Sequence, residues 1–172
     1  MPKPLLIKRL DRIAIVGVGL LGGSVGLALR AAGYQGSIVG IGRRASSLQR
    51  ALAAGAIDIT TVDPAEGVDG ALAVVICTPL KHYEGLLCRT APALGKGAVV
   101  TDVGSVKVEA VRLGERILPD YVRFVGSHPM AGSEQTGVEY ARADLFQRAL
   151  CLITPTPRTP PAAVTWARRF WT

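Results

Sequence analysis

The sequence predicts an α/β fold with a doubly wound, mostly parallel sheet. Three observations carry this expectation. Short apolar, β-branched runs recur along the chain, stretches with helical character separate them, and a glycine-rich turn lies between the first run and the first helix. The length, 172 residues, suits one domain or slightly more.

Residues 1–11 read as a short lead-in. Residues 12–18 (RIAIVGV) form a nearly continuous β-branched run, the pattern of a strand buried on both faces. Glycines in residues 17–23 break it, and a helix follows over residues 24–32, ending before Gly33. Residues 37–41 (SIVGI) are the second strand. Ser46-Ser47-Leu48-Gln49 has the form of a capping box opening a helix to residue 54, which Gly55 ends. Residues 56–59 form a short third strand. Asp63-Pro64-Ala65-Glu66 combines an N-cap, a proline at N1 and a glutamate at N3, so a brief helical turn is expected. The fourth strand is residues 72–77 (LAVVIC), after which Thr78-Pro79 caps a helix ending near residue 91. The fifth is residues 98–101 (AVVT). A helix over residues 106–117 places Val106, Ala110, Leu113 and Ile117 on one face. Residues 123–126 (RFVG) and 149–153 (ALCLI) are the sixth and seventh strands, separated by a mixed polar segment. Pro155, Pro157, Pro160 and Pro161 form a joint, and a last helix begins at Pro161 with Val164, Trp166, Ala167 and Phe170.

Composition excludes several classes. Hydrophobic residues make up 49% and charged residues 19%, which excludes a mostly disordered chain. There are 20 glycines but no G-x-y period, so collagen is excluded. Cys77, Cys88 and Cys151 are odd in number and widely spaced. That argues against a disulfide scaffold or a zinc site, and for buried free thiols in a reducing compartment. The longest uncharged run, residues 13–29, holds five glycines and falls short of a membrane span. Asp11 and Arg12 interrupt the start as a signal peptide. A soluble cytoplasmic protein is expected. The net charge of +7 comes mostly from scattered arginines. It suits an anionic small-molecule substrate, and neither nucleic acid nor membrane is expected as a partner.

Gly17-Val18-Gly19-Leu20-Leu21-Gly22 is G-x-G-x-x-G placed between a strand and a helix. In that context the first glycine makes the tight turn and the second lets the backbone approach a pyrophosphate. The third lets helix and strand pack closely, and the helix N-terminus receives the negative charge. This predicts a Rossmann-type dinucleotide-binding domain over residues 12–154; residues 155–172 are the joint and an incomplete final helix. The competing reading of the motif is a packing turn without a cofactor. No Gly-Lys-Ser/Thr follows, so a Walker-type phosphate loop is unsupported. After the second strand, where an NAD-preferring site usually carries an acid, this chain has Gly42-Arg43-Arg44, with Ser46 close behind. Arginine attracts a 2′-phosphate that an acid would repel, so NADP is favoured over NAD.

Two more polar clusters follow strands directly: Thr101-Asp102-Val103-Gly104-Ser105-Val106-Lys107 and Ser127-His128-Pro129-Met130-Ala131-Gly132-Ser133-Glu134. The chain has two histidines. His82, between Lys81 and Tyr83, reads as a surface residue. His128 is placed to accept a proton from a substrate hydroxyl, or else is a hydrogen-bonded loop residue.

These clusters, with residues 16–24 (VGVGLLGGS), Cys77-Thr78-Pro79 and Asp144-Leu145-Phe146, resemble the prephenate/arogenate dehydrogenases of tyrosine biosynthesis over residues 12–156. The resemblance implies oxidative decarboxylation of prephenate to 4-hydroxyphenylpyruvate, or of arogenate to tyrosine, with hydride passing from ring C4 to NAD(P). It implies that His128 draws the proton from the ring hydroxyl and that Ser105 helps hold that hydroxyl. Glu134 would gate the pocket, with Ser127, Gly132 and Ser133 beside it. Cys77, Thr78, Pro79 and Asp102 would line the cofactor, with Gly17, Gly19, Leu20, Leu21 and Gly22 at its pyrophosphate. No metal is implied. Family members carry a further all-helical domain that makes the dimer and grips the substrate carboxylate. The resemblance implies that these 172 residues stop short of that domain and of the last strand of the nucleotide domain. The expectation is therefore cofactor binding with little or no turnover by these residues alone. Two other readings remain at this point: a different Rossmann oxidoreductase acting on 3-hydroxy acids or imines, and a non-catalytic dinucleotide-binding protein.

Overall fold

The computed structural model describes residues 10–172, so most of the expected lead-in lies outside the described residues. Seven strands form one sheet: β1 (Arg12–Val16), β2 (Ser37–Ile41), β3 (Ile59–Thr61), β4 (Ala73–Ile76), β5 (Val99–Asp102), β6 (Arg123–Pro129) and β7 (Cys151–Thr154). Their order is β3-β2-β1-β4-β5-β6-β7. All neighbours are parallel except β6 and β7, which pair antiparallel. The helices are α1 (Leu20–Ala31), α2 (Ala45–Ala53), α3 (Pro64–Val68), α4 (Tyr83–Thr90), α5 (Lys107–Ile117) and α6 (Pro161–Phe170).

Both faces of the sheet are covered. Ala14 and Val16 of β1 point to a core shared with Tyr83, Leu87 and Ala110. Ile13 and Ile15 point to a second core with Val25, Leu48 and Trp166. This double burial is why the central strands read as continuous apolar runs instead of alternating ones. From β1 the chain winds outward to β3, then returns past β1 to β4. That reversal opens a cleft at the carboxyl ends of β1 and β4.

Several expected boundaries move, each for a physical reason. The first helix begins at Leu20, not at residue 24, and takes Gly22 and Gly23 inside it. Low helix propensity yields there to packing, because the helix must lie against neighbouring backbone. A Cβ on Gly22 would stand 2.1 Å from the Gly17 carbonyl oxygen, and one on Gly26 would stand 1.9 Å from that of Ala56. The third strand is Ile59–Thr61, not residues 56–59. Ala56 and Ile57 are buried, but as a loop under the sheet edge. The expected capping box at Ser46 is absent: Arg44 occupies the N-cap of α2 and no side chain caps it. Thr78 likewise caps nothing; a 3₁₀ turn over Leu80–His82 precedes α4. Asp63 does cap α3, accepting from the Ala65 amide at 3.1 Å. On α5 the buried face is Ala110, Val111, Leu113 and Gly114, and Val106 is exposed. Cys88 is exposed, and Cys77 and Cys151 are half-buried; all three are free thiols. The sixth strand runs to Pro129 instead of residue 126, because antiparallel pairing with β7 extends it through Ser127 and His128.

Candidate active site

The glycine turn has the geometry its spacing predicts. Gly17 adopts φ +93°, which favours glycine, and its amide donates to the Ile41 carbonyl at 2.8 Å. Gly22 fits against Gly17 with no room for a side chain. Gly19 differs: a Cβ there would meet nothing within 4 Å. It is the N-cap of α1, and neither a side-chain cap nor a first-turn acid occupies that helix terminus. The amides of Leu20, Leu21 and Gly22 thus open the helix toward the cleft.

The ends of β2 and β4 flank this turn. Arg43, Arg44 and Ser46 are exposed beyond β2, and among the described residues neither arginine forms an ion pair. Cys77 follows β4, its amide donating to the Val16 carbonyl at 2.7 Å. Burial, aided by the Asp102 charge, pushes the Cys77 thiol up, so it stays protonated. Thr78 abuts Gly17, and its Oγ1 is buried without a hydrogen-bond partner among the described residues. Pro79 is exposed beside it. An uncapped helix N-terminus, open space at Gly19 and an unpartnered hydroxyl fit a dinucleotide pyrophosphate and its ribose.

The second constellation divides into a buried part and an open part. Asp102, expected along the cofactor, is fully buried, with both oxygens engaged. Oδ1 accepts from the Ser127 amide at 3.0 Å. Oδ2 accepts from the Tyr83 hydroxyl at 2.9 Å, the Gly104 amide at 3.2 Å and the Lys107 ammonium. Ser127, expected in the pocket, is also fully buried, with its hydroxyl on Thr101 Oγ1 at 2.9 Å. Burial lowers the Lys107 pKa, and the Asp102 carboxylate opposes that shift. The Tyr83 phenol is pushed well up by burial and by Asp102. Sequence reasoning gave Lys107, Tyr83 and Thr101 no role. Thr101 and Lys107 had a legible signal, since both lie in the same motif as Asp102, and Tyr83 had none.

The open part faces solvent. Ser105 is exposed between β5 and α5. His128 is half-buried within β6, opposite Leu152 of β7, and not in a loop. His82 is half-buried at the entry to α4. Gly132 (φ +144°) brings the following segment within contact of Leu21, where an added Cβ would stand 3.8 Å from Cδ2. Ser133 accepts from the Gln135 amide at 3.2 Å, and Glu134 is exposed on this loop. Farther on, the Arg142 amide donates to the buried Ser24 hydroxyl at 2.9 Å, which pins the segment to α1. The loop thus joins the glycine turn to the strand that carries His128.

Residues 25–172 match the family model of the prephenate dehydrogenase nucleotide-binding domain. The chain belongs to the prephenate dehydrogenase family. It is 36% identical over 155 residues to prephenate dehydrogenase of Bacillus subtilis (strain 168), covering 90% of this chain and 42% of that protein. It is 33% identical over 159 residues to cyclohexadienyl dehydrogenase of Zymomonas mobilis, covering 92% of this chain and 54% of that one. The chain therefore spans about half the length of the curated relatives it matches. Among solved structures, prephenate dehydrogenase from A. aeolicus in complex with hydroxyphenyl propionate and NAD+ superposes with a TM-score of 0.87 at 34% identity. That match covers 94% of this chain and 56% of that one. Synechocystis arogenate dehydrogenase gives 0.83 at 30% identity, covering 92% and 55%. The prephenate dehydrogenase fold here is thus a Rossmann-type NAD(P)-binding one. No helix among the described residues is long and apolar enough to cross a membrane. No group of three or more His, Cys, Asp or Glu among them could hold a metal ion.

Proposed function

We propose that this chain is the cofactor-binding part of a cytoplasmic, NADP-preferring dehydrogenase that oxidatively decarboxylates prephenate or arogenate. The observation that carries the reading is His128 on β6, the strand whose following loop returns at Gly132 to Leu21 in the first turn of α1. Family membership and the ligands named for the A. aeolicus relative support the substrate class, an anionic ring acid.

The amides at the start of α1 receive the pyrophosphate, and the Thr78 hydroxyl finds its partner on the ribose or nicotinamide side. Arg43, Arg44 and Ser46 hold the 2′-phosphate, with either guanidinium free to make a forked contact. Bound there, the nicotinamide supplies a hydride acceptor. His128 accepts the proton of the ring 4-hydroxyl as that carbon gives up hydride. Ser105 holds the same hydroxyl, while Glu134, Ser133 and Gly132 form the mouth of the pocket. Loss of carbon dioxide then aromatises the ring, which makes the sequence irreversible. The residues' main contribution is positioning and one proton transfer. In this reading the dimer contact and the carboxylate grip belong to the helical domain typical of the family.

The experiment is a titration with NADPH and NADH, read by energy transfer from Trp166 and Trp171, which lie on the α1 face of the sheet. NADPH is expected to bind more tightly, and Arg43→Ala to weaken NADPH about tenfold while sparing NADH, as loss of one charged hydrogen bond implies. Equal affinity for both cofactors that Arg43→Ala leaves untouched would refute the NADP preference. Absence of any binding, checked by calorimetry, would refute the site.

A further inference from the structure

We propose that Asp102 and Lys107 form a buried ionic clamp whose work is to position His128. This rests on the reading of His128 as the reacting group. The parallel ladder between β5 and β6 ends at Thr101 and Val125. From Gly126 onward β6 pairs antiparallel with β7 on its other edge. At Ser127 and His128 the strand therefore has no ladder partner on the β5 side, because β5 ends at Asp102 and the next amide, that of Val103, donates to Ile76 of β4. The side chains of Asp102 and Lys107 replace the missing ladder. Asp102 Oδ1 accepts from the Ser127 amide at 3.0 Å, and Lys107 Nζ donates to the Ser127 carbonyl at 2.7 Å. That carbonyl belongs to the peptide group that carries the His128 nitrogen. One ion pair thus grips both peptide groups of Ser127.

The clamp is itself held. Lys107 donates to Asp102 Oδ2, as do Tyr83 from α4 and the Gly104 amide. Asp102 is fully buried, and the Lys107 side chain is 12% exposed. The His128 imidazole makes no side-chain hydrogen bond among the described residues, so its position is set through its backbone. A buried ion pair adds little net stability compared with apolar packing, whereas its directed bonds fix geometry. Aligning the strand is therefore the better account of why two charges occupy this interior.

The test uses the two histidines of the chain as probes. The imidazole ε1 carbon–proton signals are recorded by NMR and assigned with His128→Gln. In Lys107→Met the His128 signal is expected to move and broaden, while that of His82 stays in place and NADPH affinity is unchanged. Should that variant fail to fold, Asp102→Asn combined with Lys107→Met removes both charges together and leaves neither unpaired. The same displacement is expected of the pair. A clamp that only stabilised the fold would lower the melting temperature and leave the His128 signal of the folded protein unmoved. That result would overturn the proposal. Failure of the parent chain to bind either cofactor would instead count against the proposed function, and a displaced His128 signal would still support the clamp.

Discussion

Replacing Gly22 and Gly19 separately by alanine should split folding from cofactor binding at one turn. At Gly22 the added Cβ would stand 2.1 Å from the Gly17 carbonyl oxygen and 3.1 Å from Ile15 Cγ2. Carbon and oxygen pack at about 3.2–3.5 Å, so α1 must retreat from β1 by about 1 Å. Overpacking of this kind costs about 1–3 kcal/mol. In a domain of this size that lowers the melting temperature by roughly 2–12 °C. At Gly19 the Cβ meets nothing, and φ is −103°, outside the left-handed region. There the loss of a favourable N-cap glycine and the gain from a stiffer unfolded chain, each about 0.5–1 kcal/mol, nearly cancel. The methyl group would nevertheless occupy the space before the α1 amides. Differential scanning fluorimetry and NADPH titration on both variants provide the assay. Gly22→Ala is expected to melt earlier; Gly19→Ala is expected to melt with the parent yet bind at least tenfold more weakly, a loss of about 1.4 kcal/mol. If Gly19→Ala binds NADPH as the parent does, the pyrophosphate does not approach the backbone there, and the reasoning fails.

Ser24→Ala leaves the partly buried Arg142 amide without its acceptor, so a loss of about 1 kcal/mol is expected. Hydrogen exchange should speed up at Arg142 more than in the sheet, and an unchanged rate there would contradict the anchoring role. Burial pushes the Tyr34 phenol up to about 12 from an ordinary 10.0. The folded state therefore holds that proton more tightly, and the associated stability is complete below pH 10 and fades as pH rises toward 12. Tyr34→Phe should flatten denaturation midpoints across that window, since the hydroxyl makes only a long 3.4 Å contact with the Ser37 carbonyl. A parallel decline in both proteins would assign the alkaline loss to other groups.

Much of this fold was legible because its signals are local. Strands buried on both faces read as unbroken apolar runs, and Asp63-Pro64 announced α3 by its own chemistry. The glycine turn was legible for the same reason, since Gly17 and Gly22 must meet over a few residues of chain. His128, Ser105 and Glu134 were named from their motifs, but their environments were not, because exposure depends on what packs nearby.

The sequence by itself thus determined the layered α/β class, the order of its elements and the residue types that gather at the carboxyl ends of the strands. Tertiary structure decided the rest. Leu20 to Gly23 became helical because α1 lies against the Gly17 and Ala56 backbone, a contact no propensity records. Ala56 and Ile57 are apolar enough for a strand but were buried as a loop, since burial alone does not specify ladder bonds. β6 was extended by β7, more than twenty residues later in the chain, and that pairing put His128 in a strand. Asp102 and Ser127 left the expected ligand surface because an amide from β6 and a phenol from α4, both far along the chain, converge with the nearby Lys107 ammonium on one carboxylate. A buried charge needs partners from every direction, and the linear order of residues does not reveal which ones the fold will bring together.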